Sequence, residues 1–146
     1  MTGTVLHREQ RLVTMGDTDA SGLIFYPAVS RWAAETFDHW LIAIGDSLKK
    51  MLSRGRATPI VHVAAEIRAP LGLSDVIDTT LSVKHVGTTS MQLRFECVRG
   101  DGVLAVVVET THVFVRLEKG SGFGPPQIEK EPIPDWFREM LAGGST

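Results

Sequence analysis

Two carboxylates stand two residues apart in Gly16-Asp17-Thr18-Asp19-Ala20-Ser21-Gly22, and an apolar run, Leu23-Ile24-Phe25, leads to Tyr26-Pro27. Glycines at both ends make this segment a turn, and Pro27 suits the first turn of a helix, where its missing N–H breaks no intrahelical bond. The first N–H groups of a helix have no acceptor within it, and the helix dipole places partial positive charge there. A carboxylate held beside such a tip could attack a carbonyl, or activate water to do so. The free N–H groups would stabilise the oxyanion that forms.

Plainer readings of the same residues compete. Asp-x-Asp-x-x-Gly is a common turn in which the side chains bond only to nearby backbone. Positions 17, 19, 21 and 22 also match the start of a calcium-binding EF-hand loop. Its closing bidentate glutamate would fall on Ala28, however, so no metal is expected. Cys97 alternates with Phe95 and Leu93 and reads as a small buried hydrophobe rather than a nucleophile. No Gly-x-Ser-x-Gly and no pair of histidines at i,i+4 point to serine-hydrolase or zinc chemistry. His62, read as sharing a strand face with Ile60, Ala64 and Glu66, is expected at an interface or groove edge, with a substrate pocket as the sharper alternative. Glu35 is either a solvated helix residue or a second carboxylate near the reacting group.

The elements that must position these residues follow from hydrophobic periodicity. Val29, Trp32, Ala33, Phe37, Trp40, Leu41 and Ile44 recur at spacings of three and four, which predicts a helix from Pro27 to about Ile44, stopped by Gly45. A strand over 4–14 precedes it, and a shorter helix is expected near 46–54. Segments 59–69, 75–86, 88–99 and 103–117 read as strands. Residues 75–86 and 88–99 alternate apolar with polar, whereas 103–117 begins apolar on both faces like a central strand. A loop from Gly120 to Pro126 and a short helix from Pro134 to Leu141 end the chain. The order is strand, long helix, then a four-stranded meander: an α+β domain in which a five-stranded antiparallel sheet wraps one long helix.

With 146 residues, the chain is expected to form one domain over 1–146. It is 43% hydrophobic and 22% charged, with a formal net charge of -2, so no general basic field invites nucleic acid. The single cysteine fits a reducing compartment, and neither a membrane span nor a signal-peptide core is apparent, so a cytoplasmic location is expected.

The run Asp17 to Pro27 resembles the signature of the hotdog-fold acyl-CoA thioesterases, in particular their 4-hydroxybenzoyl-CoA thioesterase branch. Weaker similarities are Thr58-Pro59-Ile60-Val61, Pro70 to Val76, and Val86-Gly87-Thr88-Thr89-Ser90. The resemblance implies hydrolysis of a small acyl-CoA, aromatic acids included, to free acid and CoA, without metal or other cofactor. It makes Asp19 the catalytic carboxylate, as nucleophile or general base, and the backbone N–H of Tyr26 and its neighbours the oxyanion donors. Asp17 then orders the loop, and Gly22 lets it pack close to the helix end. Phe25, Pro27, Glu35, Val61, His62, Thr88, Thr89 and Ser90 are implied around the substrate. Homodimers with active sites at their interface, pairing again into homotetramers, are implied as well.

The chain also departs from that branch. The helix position of its phenol-binding acid is Ala34. Only Lys84 and His85 approach its phosphate-binding cluster, which leaves Arg54, Arg56 or Arg116 as other candidates. Two alternatives remain: a non-catalytic acyl-CoA-binding module, and a hydroxyacyl-thioester dehydratase, which would need a histidine that residues 8–38 lack.

Overall fold

The computed structural model describes residues 3–118 and 122–143. Strand β1 (Thr4–Leu12) leads through a 3-10 turn (Met15–Asp17) to helix α1 (Pro27–Ala43), and a short helix α2 (Leu48–Ser53) follows. Next come β2 (Arg56–Ala57), β3 (Ile60–Ile67), β4 (Val76–Val86), β5 (Ser90–Arg99), β6 (Leu104–Val113), β7 (Val115–Glu118), β8 (Gln127–Lys130) and α3 (Asp135–Leu141).

Helix α1 begins at Pro27, as its periodicity predicts, and ends where Gly45 adopts φ +85°. There the Gly45 N–H donates to Ile42 O and the Asp46 N–H to Leu41 O, satisfying carbonyls that the helix leaves open. Its apolar stripe buries Trp32, Phe37, Trp40 and Leu41 against Leu81, Leu93, Phe95, Val106 and Val108 of the sheet. Full burial of such side chains is worth about 2–3 kcal/mol each. Phe137 of α3 closes one end of this core, its ring edge-on to Trp40 at 5.7 Å.

The main sheet is antiparallel and five-stranded, in the order β1-β4-β5-β6-β3. That order corrects the four-stranded meander expected from the sequence: only β4, β5 and β6 form one. The chain leaving α1 reaches the far side of the sheet, so β3 pairs with β6 instead of β4. Strand alternation is indifferent to this choice, because either neighbour would bury the same face.

The single strand expected over 103–117 is two. At Phe114 the backbone leaves the main sheet, its N–H donating to Thr89 O and its carbonyl accepting from the Glu131 N–H. Strand β7 then joins a second, three-stranded sheet, β2-β7-β8. Neither β2 nor β8 carries the alternation that reveals a strand. The loop expected over Gly120 to Pro126 falls partly outside the described residues.

Strand β3 is exposed along its whole length. It pairs on one side only and presents Ile60, Val61, Val63 and Ile67 to solvent at 42–62% exposure.

Candidate active site

The segment carrying Asp17 and Asp19 is a tight loop fastened by backbone hydrogen bonds to the residues that lead into α1. The Asp19 N–H donates to Leu23 O at 3.0 Å, and the Gly22 N–H to Asp19 O at 3.1 Å. Thr18 bridges Ile24, and the Phe25 N–H donates to Asp17 O at 2.8 Å, tying the loop to the start of the helix. The connection between β3 and β4 packs alongside, with the Ile24 N–H donating to Leu71 O and the Leu73 N–H to Gly22 O.

Close packing here is the work of Gly72, not Gly22. A Cβ at Gly72 would lie 3.3 Å from Gly22 O, whereas one at Gly22 would meet nothing within 4 Å. Gly22 is needed instead for its φ of +80°, which strains other residues.

The two aspartates divide sharply. Asp17 is 4% exposed. Its carboxylate accepts from the Thr14 N–H (2.9 Å), the Thr14 hydroxyl (3.1 Å) and Trp32 Nε1–H (3.1 Å), and it also pairs with the Arg31 guanidinium. Burial alone would raise its pKa, but these donors outweigh burial and hold it down at about 2. With both oxygens engaged, Asp17 orders the loop.

Asp19 is solvent-exposed. Its Oδ1 accepts from the Ser21 hydroxyl and from the Ser21 N–H, and these bonds lower its pKa below the usual carboxylate range. Its Oδ2 has no donor among the described residues, so an ionised oxygen faces outward from the loop.

At the helix tip, the Ala28 N–H donates to Phe25 O and the Val29 N–H to Tyr26 O, and Pro27 has no N–H. The Tyr26 N–H alone is left without an acceptor among the described residues. This narrows the expected set of oxyanion donors to one. Phe25, Tyr26 and Pro27 are all exposed around it.

Other expected site residues lie elsewhere in the chain. Glu35 remains partly solvated, its side chain 38% exposed, and its carboxylate is held by Arg11 and Arg31, each at 3.2 Å. Since Arg31 also holds Asp17, Glu35 belongs to the network that anchors the loop. Thr88, Thr89 and Ser90 form the turn between β4 and β5, where Arg138 donates to Thr88 O. The loop lies at the Val76 end of β4 and this turn at the Val86 end, about 30 Å apart along an extended strand.

Val61 and His62 belong to the turn's end of the sheet, because Ile60 pairs with His112 and His112 with Met91. A bulge at Val61 separates His62 from the face it was expected to share with Ile60. Ile60 pairs with buried His112, while His62 pairs with Thr111 on the outer face, so His62 turns away from α1.

The arginines suggested for phosphate already have carboxylate partners: Arg54 with Asp46, Arg56 with Glu131, and Arg116 with Glu129, each within 2.8 Å. Lys84 pairs with Glu109. Sequence reasoning missed Arg31 as the loop's clamp, and it missed His112, whose only signal was a place among apolar residues of a central strand.

A family profile described as the thioesterase-like superfamily matches residues 13–141. A 1,4-dihydroxy-2-naphthoyl-CoA hydrolase of Thermosynechococcus vestitus is 26% identical over 92% of this chain and 88% of its own. One from Prochlorococcus marinus is 31% identical over 66% of this chain and 69% of its own.

Among solved structures, a 1,4-dihydroxy-2-naphthoyl-CoA thioesterase from Synechocystis superposes with a TM-score of 0.80 at 23% identity, covering 92% of this chain and 93% of that one. A 4-hydroxybenzoyl CoA thioesterase variant complexed with 4-hydroxybenzoyl CoA gives 0.79 at 21% identity, covering 92% and 97%. Both share the hotdog fold. The loop on the helix tip, the sheet around the helix and the profile match together place this chain in the thioesterase-like superfamily, as a thioester hydrolase.

Proposed function

We propose that the protein hydrolyses an aromatic acyl-CoA to free acid and CoA, with Asp19 as the reacting carboxylate and the Tyr26 N–H as oxyanion donor. The observation that carries this reading is the pairing of an ionised carboxylate with a free outward oxygen and the single unpaired N–H of an adjoining helix tip. The thioester carbonyl oxygen would accept from Tyr26 while Asp19 attacks the carbonyl carbon or draws a proton from water that does. The leaving thiolate needs little protonation, since a free thiol's pKa is about 8.5. One carboxylate therefore suffices, with no metal or redox cofactor. The aromatic preference is supported by the relatives at 26% and 31% identity, named as hydrolases of a naphthoyl-CoA.

The working unit in this reading is a homodimer built on β3. An unpaired apolar edge strand invites a partner strand. Two copies of β3 pairing antiparallel about a two-fold axis would reverse the ends of the sheet. The partner's Val61 and its Thr88–Ser90 turn would then approach this chain's Asp19 loop, assembling residues that one chain keeps apart. Dimers would pair again into tetramers, and the location would be cytoplasmic; no helix among the described residues is long and apolar enough to cross a membrane.

Thiol release over a panel of acetyl-, palmitoyl-, benzoyl-, hydroxybenzoyl- and naphthoyl-CoA tests the reading. The aromatic esters should turn over fastest, and Asp19→Asn should lower kcat by about a thousandfold or more with the fold intact. Wild-type turnover in Asp19→Asn would refute the role of Asp19.

A further inference from the structure

Strand β1 turns charged side chains toward the helix. Along 7–12 its half-buried residues alternate with exposed ones, and Glu9 and Arg11 lie opposite Thr79 and Ile77, both buried. The Arg11 side chain is 15% exposed, and its Nε is buried with no hydrogen-bond partner among the described residues. An arginine held there with an unpaired N–H costs stability that an apolar side chain of similar volume would not. Packing alone therefore does not account for its place.

Its contacts do. One guanidinium nitrogen lies 3.2 Å from Glu35 Oε1, the same oxygen to which Arg31 donates at 3.2 Å. The guanidinium carbon sits over the Trp32 ring, 5.8 Å from its centroid, within reach of a cation–π attraction. A planar guanidinium can make both contacts at once, whereas a lysine ammonium is a single point of charge.

Both arms end on one atom. Asp17 Oδ1 accepts from Trp32 Nε1–H at 3.1 Å and from Arg31, while Oδ2 is held by the N–H and hydroxyl of Thr14. The hydrogen bonds from α1 to the loop carboxylate are thus both braced from β1 by Arg11. Asp17 is also where the two reacting groups are tied together. Asp19 follows two residues on, and the Asp17 carbonyl accepts from the Phe25 N–H, next to Tyr26.

Resting on the proposed roles of Asp19 and Tyr26, we infer that Arg11 is a positioning residue for the hydrolysis. It sets the Asp19 carboxylate against the Tyr26 N–H, through Trp32 on one arm and through Glu35 and Arg31 on the other, without touching the substrate. In its absence Trp32 and Arg31 lose their brace, Asp17 Oδ1 shifts with them, and nucleophile and oxyanion donor fall out of line. Chemistry suffers more than binding, because the groups displaced are those that meet the reacting carbonyl.

The test is a double-mutant cycle on benzoyl-CoA hydrolysis, read as kcat and KM for wild type, Arg11→Gln, Asp17→Asn and the double variant, each shown to be folded by its urea unfolding curve. Arg11→Gln should lower kcat about 10–100-fold, the effect of a displacement of about 1 Å. Its KM should stay within about threefold of wild type. On the Asp17→Asn background the same change should cost no more than about twofold, because the grip it braces is already broken. A purely structural role would leave turnover of the folded enzyme intact, and an independent effect would multiply in full. If Arg11→Gln does not fold, Glu35→Gln decides: it cuts one arm at a side chain 38% exposed, and kcat should fall about fivefold. Wild-type kcat in folded Arg11→Gln, or in Glu35→Gln where that variant decides, overturns the inference and leaves the thioesterase reading standing. So does a loss that multiplies in full with that of Asp17→Asn. Absence of thiol release by the wild-type protein from every CoA ester would instead refute the thioesterase reading itself.

Discussion

Replacing Asp17 by Asn removes one negative charge from beneath the loop and nothing else of size. The folded carboxylate titrates at about 2 instead of its ordinary 3.8. Each pKa unit corresponds to about 1.36 kcal/mol of preference for the ionised form. Arg31, one of the four hydrogen-bonding groups, has a side chain 48% exposed, so solvent screens its share. The charge is then worth about 2 kcal/mol at neutral pH, which an amide of the same shape cannot replace because its NH2 would face donors.

The sign of the pH dependence follows from the direction of the shift. A depressed carboxylate pKa stabilises the fold above the unfolded value, near 3.8, and that contribution is lost as pH falls through the folded value, near 2. Urea unfolding of wild type and Asp17→Asn should therefore differ by about 2 kcal/mol from pH 7 down to about pH 4.5, and by roughly half as much at pH 3. In melting temperature the neutral-pH gap is about 4–8 °C. A gap that is absent at pH 7, or undiminished at pH 3, would refute the assignment of Asp17 as the ionised anchor of the loop.

Other outcomes follow from the same geometry. Tyr26→Pro fits the observed φ of -52° and removes the unpaired N–H together with the phenol ring, whereas Tyr26→Ala removes the ring alone; steady-state kinetics should show kcat of the proline variant about 10²–10³-fold below that of the alanine variant, and equal kcat would exclude that donor. Val63→Lys places a charge on the open edge strand, so sedimentation should find monomers with little turnover, whereas an active oligomer would argue against pairing through β3. His112 stays neutral in the fold down to about pH 4 but would titrate near 6.5 when unfolded. Its depressed base pKa means that stability falls as pH drops from about 6.5 to 4, by about 2–3 kcal/mol, and His112→Gln should flatten that slope in denaturant titrations.

The helix and its stop were legible because they rest on local rules. Spacings of three and four, a proline at the first turn and a glycine at φ +85° act within a few residues of chain. The alternation of β4 and β5, and the crowded apolar start of β6, were readable for the same reason. So was the ordering role of Asp17, which the resemblance of the Asp17–Pro27 run implied and its buried hydrogen bonds display.

What could not be read depends on partners distant in sequence. That β3 lies against β6, that a bulge at Val61 turns His62 outward, and that Phe114 carries the chain into a second sheet are matters of register, which alternation leaves open. Arg31 ties Asp17 of the loop to Glu35 of α1, Glu35 in turn holds Arg11 of β1, and His112 joins Thr58 to Thr110; of these contacts only Arg31–Glu35, four residues apart on a helix, has a sequence spacing that announces it. Local propensity and periodicity thus decided the helix, the principal strands and the loop on its tip. Long-range packing alone decided which polar groups found partners, and among the described residues it left the buried Thr58 Oγ1 and the exposed Tyr26 N–H without one.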